Sequence, residues 1–164
     1  MKYGISHKFE DFWYVISRSD YQPPIEAVRK GLHIAVTIND VPVGCGRLIP
    51  YPNKNGQVND YALGNIYLLD LFRRGNRHGI DMFRVGFNKW VSDLGKDVSV
   101  FGTVGKDRYG QILKRYYAIF GGREVTDSYR EYLKTELGFE PASDQILLSL
   151  DLENARVTEE LDKG

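Results

Sequence analysis

Most of the features that would settle a protein class at once are scarce in this chain, and each shortage excludes something. There is one cysteine, Cys45, set between Gly44 and Gly46. A single thiol cannot close an internal disulfide, and no group of side chains has metal-ligand spacing. The opening residues, MKYGISHKFEDFW, carry no apolar signal core, and no run approaches the roughly 18 apolar residues of a membrane span. Neither sign of charge is in excess, since Lys plus Arg and Asp plus Glu number 22 each. That balance argues against a dedicated nucleic-acid binder, whose footprint is a basic surplus. Two phosphate-binding motifs are missing as well. No Gly-x-x-x-x-Gly-Lys-Ser/Thr run exists, and Gly44-x-Gly46 lacks the third glycine and following helix of a dinucleotide fingerprint. The two glycines read instead as marks of a bulge or close packing. A reducing cytoplasm is the expected setting, with no metal, membrane or nucleic acid as partner.

What is present describes one domain over residues 1–164. The chain is 42% hydrophobic and 13% aromatic, enough to bury a sizeable core and too apolar for general disorder. Phe9, Phe12, Trp13 and Ile16 recur at helical spacing and predict a helix over 8–18. Pro23 and Pro24 suit the start of a second short helix that ends at Gly31. These N-terminal helices, residues 1–31, read as scaffold or, with Tyr14 and Tyr21, as one wall of a substrate cleft. The core then spans about 32–152. LHIAVTI (32–38) and VPVGCGRLIPY read as a hairpin turned by Asn39-Asp40. After a polar loop, PNKNGQVND, the nearly continuous apolar run YALGNIYLLDL (61–71) predicts a central strand covered on both faces.

A turn, FRRGNRHG, follows, and Ile80, Phe83, Phe87, Trp90 or Val91, and Leu94 then mark an amphipathic helix ending at Gly95. VSVFGTV (98–104) is a further buried strand, which makes a β-α-β unit with parallel neighbours. A helix over 107–120, a short strand at GREV, a short helix in SYREYLKTELG and a strand at 145–152 complete the core. A charged tail closes the chain from Glu153. The fold class is α/β.

The turn between the central strand and its helix is the most informative stretch. Backbone N–H groups left unpaired at a helix start, the positive end of the helix dipole and nearby arginines together suit phosphate oxygens. Arg74-Gly75-Asn76-Arg77-His78-Gly79 resembles the acetyl-CoA-binding turn of the GCN5-related N-acetyltransferase (GNAT) superfamily, Gln/Arg-x-x-Gly-x-Gly/Ala. Arg74 takes the first position and Gly79 the last, while Arg77 stands where the middle glycine is commonest. The element order from about 32 to 150 resembles the family too, as does RYYAIFGGRE. In that segment Tyr117 falls on the family's cleft tyrosine and Gly121 on its glycine, with Gly122 where Phe is common. On a helical wheel Tyr109, Ile112, Leu113, Tyr116 and Phe120 form one stripe, with Tyr117 at its edge. A second register, YLKTELGFE, ends in Leu-Gly-Phe but has Lys134 where the tyrosine would stand.

The resemblance implies a single mixed, mostly antiparallel sheet flanked by helices, its central parallel strand pair splayed for coenzyme A. It further implies acetyl-CoA as co-substrate, with the pyrophosphate on the N–H groups of Gly75, Asn76, Arg77, His78 and Gly79. Arg73, Arg74 and Arg77 would add charge-assisted attraction, and backbone at Leu69–Leu71 would hold the thioester carbonyl. The acceptor would be the amine of a small molecule or a protein, with Tyr117 as the acid that protonates the departing thiolate. Asp60, Asp70 and a water chain stay open as the base. His7, His33 and His78 show no partner pattern. Homodimers are common in the family. Arg77 and Gly122 keep a second reading alive, a non-catalytic binding or inhibitory protein of the same fold. GCGRLIP also resembles, faintly, a stretch of the acyl-homoserine-lactone synthases, for which the chain is short.

Overall fold

The computed structural model describes residues 2–19, 22–68, 86, 88–89, 93–94, 98–119 and 121–150, the side chains of Leu68, Tyr109, Tyr116 and Ile119 excepted. Strand β1 (Tyr3–Ser6) precedes helices α1 (Phe9–Ile16) and α2 (Ile25–Val28). Strands β2 (Leu32–Ile38), β3 (Val41–Pro52), β4 (Val58–Leu68) and β5 (Ser99–Gly105) follow. The remainder is α3 (Arg108–Ile119), β6 (Arg123–Glu124), α4 (Asp127–Glu136) and β7 (Gln145–Leu150). One seven-stranded sheet has the hydrogen-bonded order β1-β2-β3-β4-β5-β7-β6, mixed in direction, with β4 and β5 as its parallel pair. The chain gathers into two compact units, Met1–Ile49 with Leu63–Asp93, and Pro50–Ala62 with Leu94–Gly164.

In the first unit the β2–β3 hairpin forms where Asn39-Asp40 predicts it. Both residues have positive φ, 49° and 69°, the type I′ geometry whose twist matches that of the strands it joins. Val36 lies opposite Gly44 and Thr37 opposite Pro42, which leaves Val43 as an extra residue. That is a β-bulge beside Gly44, as the glycine pair suggests. α1 puts Phe12, Val15 and Ile16 against Val28 and Cys45, with Phe9, Trp13 and Tyr67 packed around them. Each fully buried apolar side chain of this size contributes about 1.5–3 kcal/mol. Val36 and Val43 form a second cluster with Tyr3, Ile5 and Ile38.

β1 was not expected. It is a four-residue strand paired antiparallel to β2 from Tyr3↔Ile38 to Ser6↔Ala35. Its signal is a single alternation, Tyr3 and Ile5, too short to stand out from a loop.

In the second unit β5 pairs antiparallel with β7 from Val100↔Leu150 to Gly105↔Gln145. Val100, Phe101, Val104, Leu133, Leu147 and Leu148 are buried there. Phe101, Tyr51 and Phe139 form an aromatic trio with ring centroids 4.9–5.7 Å apart. Phe139 belongs to the Leu-Gly-Phe run, so that run closes α4 and anchors it by an aromatic side chain. Thr126 caps the same helix, its hydroxyl accepting from the Tyr129 N–H at 3.2 Å.

Candidate active site

The residues expected to hold the cofactor, Leu69, Leu71, Arg73, Arg74, Gly75, Asn76, Arg77, His78 and Gly79, lie outside the described residues, and so does Asp70. Described elements bracket them in sequence. β4 runs to Leu68, and Gly86, Asn88, Lys89, Asp93 and Leu94 are helical. The strand-to-helix order that the sequence predicts around this stretch is therefore present on both sides of it.

β4 itself is less regular than its apolar sequence suggests. Ala62 and Leu63 are buried, but Gly64, Asn65, Ile66 and Tyr67 are all half-buried, so the in-out alternation of a pleated strand is lost. Asn65 sits at φ 54°, in the left-handed region that asparagine tolerates better than most residues. The Arg47 Nε donates to Asn65 Oδ1 at 2.8 Å, and Arg47 Nη1 donates to the Lys30 carbonyl at 2.8 Å. The Cys45 thiol points at the Asn65 carbonyl from 3.6 Å.

Tyr117 is placed by a chain of local contacts. Asp107 caps α3, its Oδ1 accepting from the Gly110 N–H at 2.8 Å. A Cβ on Gly110 would lie 1.9 Å from the Gly105 carbonyl oxygen, so only glycine lets the first turn of α3 lie on the end of β5. At the other end Gly121 takes φ 77°. Its N–H donates to the Ala118 carbonyl at 3.2 Å, and that of Gly122 donates to the Tyr117 carbonyl at 2.8 Å. This is the Schellman arrangement, with glycine at the left-handed position. A Cβ on Gly122 would meet the Tyr117 carbonyl oxygen at 2.7 Å. The phenylalanine common there in the family would not fit here without moving the helix end.

Of the predicted stripe on α3, Phe120 and the side chains of Tyr109 and Tyr116 lie outside what is described, and Leu113 is half-buried. Ile112 is 39% exposed, whereas Tyr117 is 3% exposed and Gly110 is buried. Gly110 and Tyr117 lie on the inward face of the helix. Hydrophobic periodicity cannot register this, because Gly110 contributes close backbone approach and no side chain.

Asp60, one of the three options left open for the base, is 3% exposed. Its Oδ1 accepts from the Tyr129 hydroxyl at 2.9 Å and its Oδ2 from the Tyr132 hydroxyl at 2.8 Å. The two phenol rings stack with centroids 5.8 Å apart. Burial, followed by the charge of Asp60, pushes the Tyr129 phenol well up, against a hydrogen bond from Ser99. The bond to Asp60, and then burial, pushes Tyr132 up to about 12. Both carboxylate oxygens are thus engaged, at the end of β4 away from Leu69. Sequence reasoning missed this clamp. Its only trace is a pair of tyrosines three apart on a helix, 69 and 72 residues from their partner.

His33 likewise has a structural setting. A ring nitrogen lies 2.6 Å from the Val28 carbonyl, and the edges of Phe9 and Phe12 pack on it at 5.0 and 4.7 Å. Among the described residues no group of three or more His, Cys, Asp or Glu side chains could hold a metal ion, and no helix is long and apolar enough to cross a membrane.

No family model and no curated protein sequence matches the chain. Solved structures do. The ribosomal-protein-S18-alanine N-acetyltransferase of Escherichia coli is 12% identical with a TM-score of 0.60, over 92% of this chain and 94% of that one. A GNAT family acetyltransferase from Elizabethkingia anophelis, solved with acetyl-CoA bound, is 17% identical with a TM-score of 0.60, over 91% and 97%. Arabidopsis thaliana Naa50, in complex with the bisubstrate analogue CoA-Ac-MVNAL, is 9% identical with a TM-score of 0.59, over 91% and 98%. At such identities likeness speaks for architecture, and it extends over more than nine-tenths of the chain. The fold of this chain is that of the GCN5-related N-acetyltransferases.

Proposed function

We propose that the chain is an acetyl-CoA-dependent N-acetyltransferase that moves an acetyl group to the amine of a small molecule or protein by direct attack. The observation that carries this is the correspondence of the whole sheet order to the GNAT fold, with RRGNRHG falling between the central strand and the next helix. The pyrophosphate is assigned to the N–H groups of residues 75–79, with Arg73, Arg74 and Arg77 adding attraction. The pantetheine arm then follows β4, and the thioester carbonyl rests on backbone at Leu69–Leu71.

The chemistry balances simply. The neutral amine nitrogen attacks the thioester carbon, the new C–N bond forms, and the C–S bond breaks. The amine's surplus proton goes to Asp70 or to water. The thiolate takes its proton from Tyr117. A phenol near pKa 10 donating to a thiolate near 8.5 works against a gradient of about 1.5 units, about 2 kcal/mol, which proximity offsets. Tyr117→Phe is expected to lower turnover by about a hundredfold or more while leaving acetyl-CoA affinity within about threefold. Equal turnover removes Tyr117 from the reaction.

The burial of Tyr117 to 3% exposure favours one second reading, a non-catalytic binding or inhibitory protein of this fold in which that tyrosine serves structure alone. Titrating acetyl-CoA and following Tm tests the first step of the acetyltransferase reading, since a ligand that binds only the folded state stabilises it by about 2.7 kcal/mol at a hundred times Kd. No shift at millimolar acetyl-CoA ends the acetyltransferase reading. A shift with no release of free coenzyme A across a panel of small amines and peptides leaves the binding protein.

A further inference from the structure

β4 contains a residue that no strand needs. A left-handed residue other than glycine inside a strand is strained and persists only where its surroundings over-determine it. The positive-φ non-glycine residues among those described are Asn39, Asp40 and Asn65. The first two make a hairpin turn, which requires that geometry. Asn65 lies inside the eleven-residue strand β4.

The surroundings of Asn65 account for its stability. Cys45 and Arg47 are two apart on β3 and so project from one face. Cys45 meets the Asn65 carbonyl, and Arg47 holds its side-chain oxygen. Arg47 is itself 8% exposed, lies opposite His33 on β2, and grips the Lys30 carbonyl in the segment between α2 and β2. That segment is pressed close to β3. At the next residue, Gly31, with φ 112°, a Cβ would stand 2.5 Å from the Leu48 carbonyl oxygen. A buried arginine thus ties the step in β4 to the end of the N-terminal helices.

We propose that Arg47 and Asn65 are a positioning pair. The guanidinium holds Asn65 left-handed, and the step this puts into β4 sets the backbone along which the acyl donor's arm lies. The proposal rests on the acetyltransferase reading. Neither side chain touches the donor in this scheme, and both act through the course of the strand. Asparagine suits the task because it tolerates the conformation and offers an oxygen to the latch. Alanine offers neither, and glycine adopts the conformation unaided.

Acetyl-CoA binding, measured by calorimetry on the full chain, tests this. Asn65→Ala is expected to weaken binding about tenfold, and Asn65→Gly to restore it to within about threefold. Arg47→Met is expected to weaken binding about tenfold in the wild-type background and to have no further effect on binding beside Asn65→Gly, since glycine keeps the left-handed conformation without the latch. Wild-type affinity in Asn65→Ala overturns the pair, and so does an equal loss from Arg47→Met in both backgrounds. Where Arg47→Met fails to fold, the Ala–Gly contrast at position 65 decides. If the wild-type chain binds no acetyl-CoA, the acetyltransferase reading itself has failed. Amide exchange across Gly64–Tyr67 then judges the latch alone: Asn65→Ala must accelerate it about tenfold relative to β7, and unchanged exchange overturns the latch.

Discussion

Two polar ties hold β4, one in each compact unit, and they are built on opposite charges. In the first, a buried cation, Arg47, is met by an amide oxygen and a carbonyl. In the second, a buried anion, Asp60, is met by two phenols. Both satisfy the rule that a buried charge must be hydrogen-bonded. Only the first comes with a left-handed residue. A tie that satisfies its groups without such a conformation is accounted for by stability, whereas one that maintains an unfavourable conformation calls for a further reason. The difference separates a clamp, Asp60–Tyr129–Tyr132, from a latch, Arg47–Asn65, and it assigns the latch alone to the candidate site.

The largest expected effect tests the clamp. Asp60→Ala strands two phenol donors and is expected to destabilise the fold by about 3 kcal/mol, read as a lowered urea midpoint. Acetyl-CoA affinity, extrapolated to fully folded protein, should be unaltered. A loss of affinity with little loss of stability would reverse the roles given to the two ties.

The pH dependence comes next, and the two units should fail at opposite ends. Burial, joined by the charge of Arg47, holds His33 below its ordinary value near 6.5, against the bond to the Val28 carbonyl. Below about pH 6.5 the unfolded chain therefore takes up a proton that the folded histidine resists, and stability is lost as pH falls. Tyr132 and Tyr129 are shifted the other way. Their contribution is complete below about pH 10, where unfolded phenols stay protonated, and is lost as pH rises from there towards 12. Urea midpoints across pH check both limbs. His33→Gln should flatten the acid limb and Tyr132→Phe should shrink the alkaline one. The opposite assignment would break the comparison.

Smaller effects sharpen it. Asn65→Gly gives up a hydrogen bond to a charged group but relieves the left-handed conformation, for a net loss of about 1 kcal/mol by denaturant unfolding. Lys114→Met removes an ion pair to Glu124, whose atoms are 3.1 Å apart at the surface. It should change stability by less than about 0.5 kcal/mol, a baseline for what an exposed tie is worth.

The sequence was most legible where periodicity and turn chemistry dominate. β2 falls on LHIAVTI, α1 on the Phe9-to-Ile16 stripe, and the hairpin on Asn39-Asp40. The Schellman end at Gly121 could be read from a glycine after an amphipathic run. β1 was hidden because four residues with one alternation look like a loop. The inward place of Gly110 on α3 was hidden because glycine there acts by lacking a side chain. Neither the latch nor the clamp was foreseen, since each joins residues far apart in sequence. Gly64-Asn65 inside an apolar run was the one local hint. Asparagine there is out of place for a buried strand, and its left-handed backbone supplies the reason.

The lone cysteine acquires a use from where it sits. Cys45 is 7% exposed, its thiol is made hard to ionise by burial, and its sulfur faces the Asn65 carbonyl. A thiol reagent can react with it only when that part of the sheet opens. Since the chain has no second thiol, the labelling rate becomes a clock for local opening beside the latch. The clock needs no engineered probe, and its slowing on addition of a ligand would report binding before any acceptor amine is known.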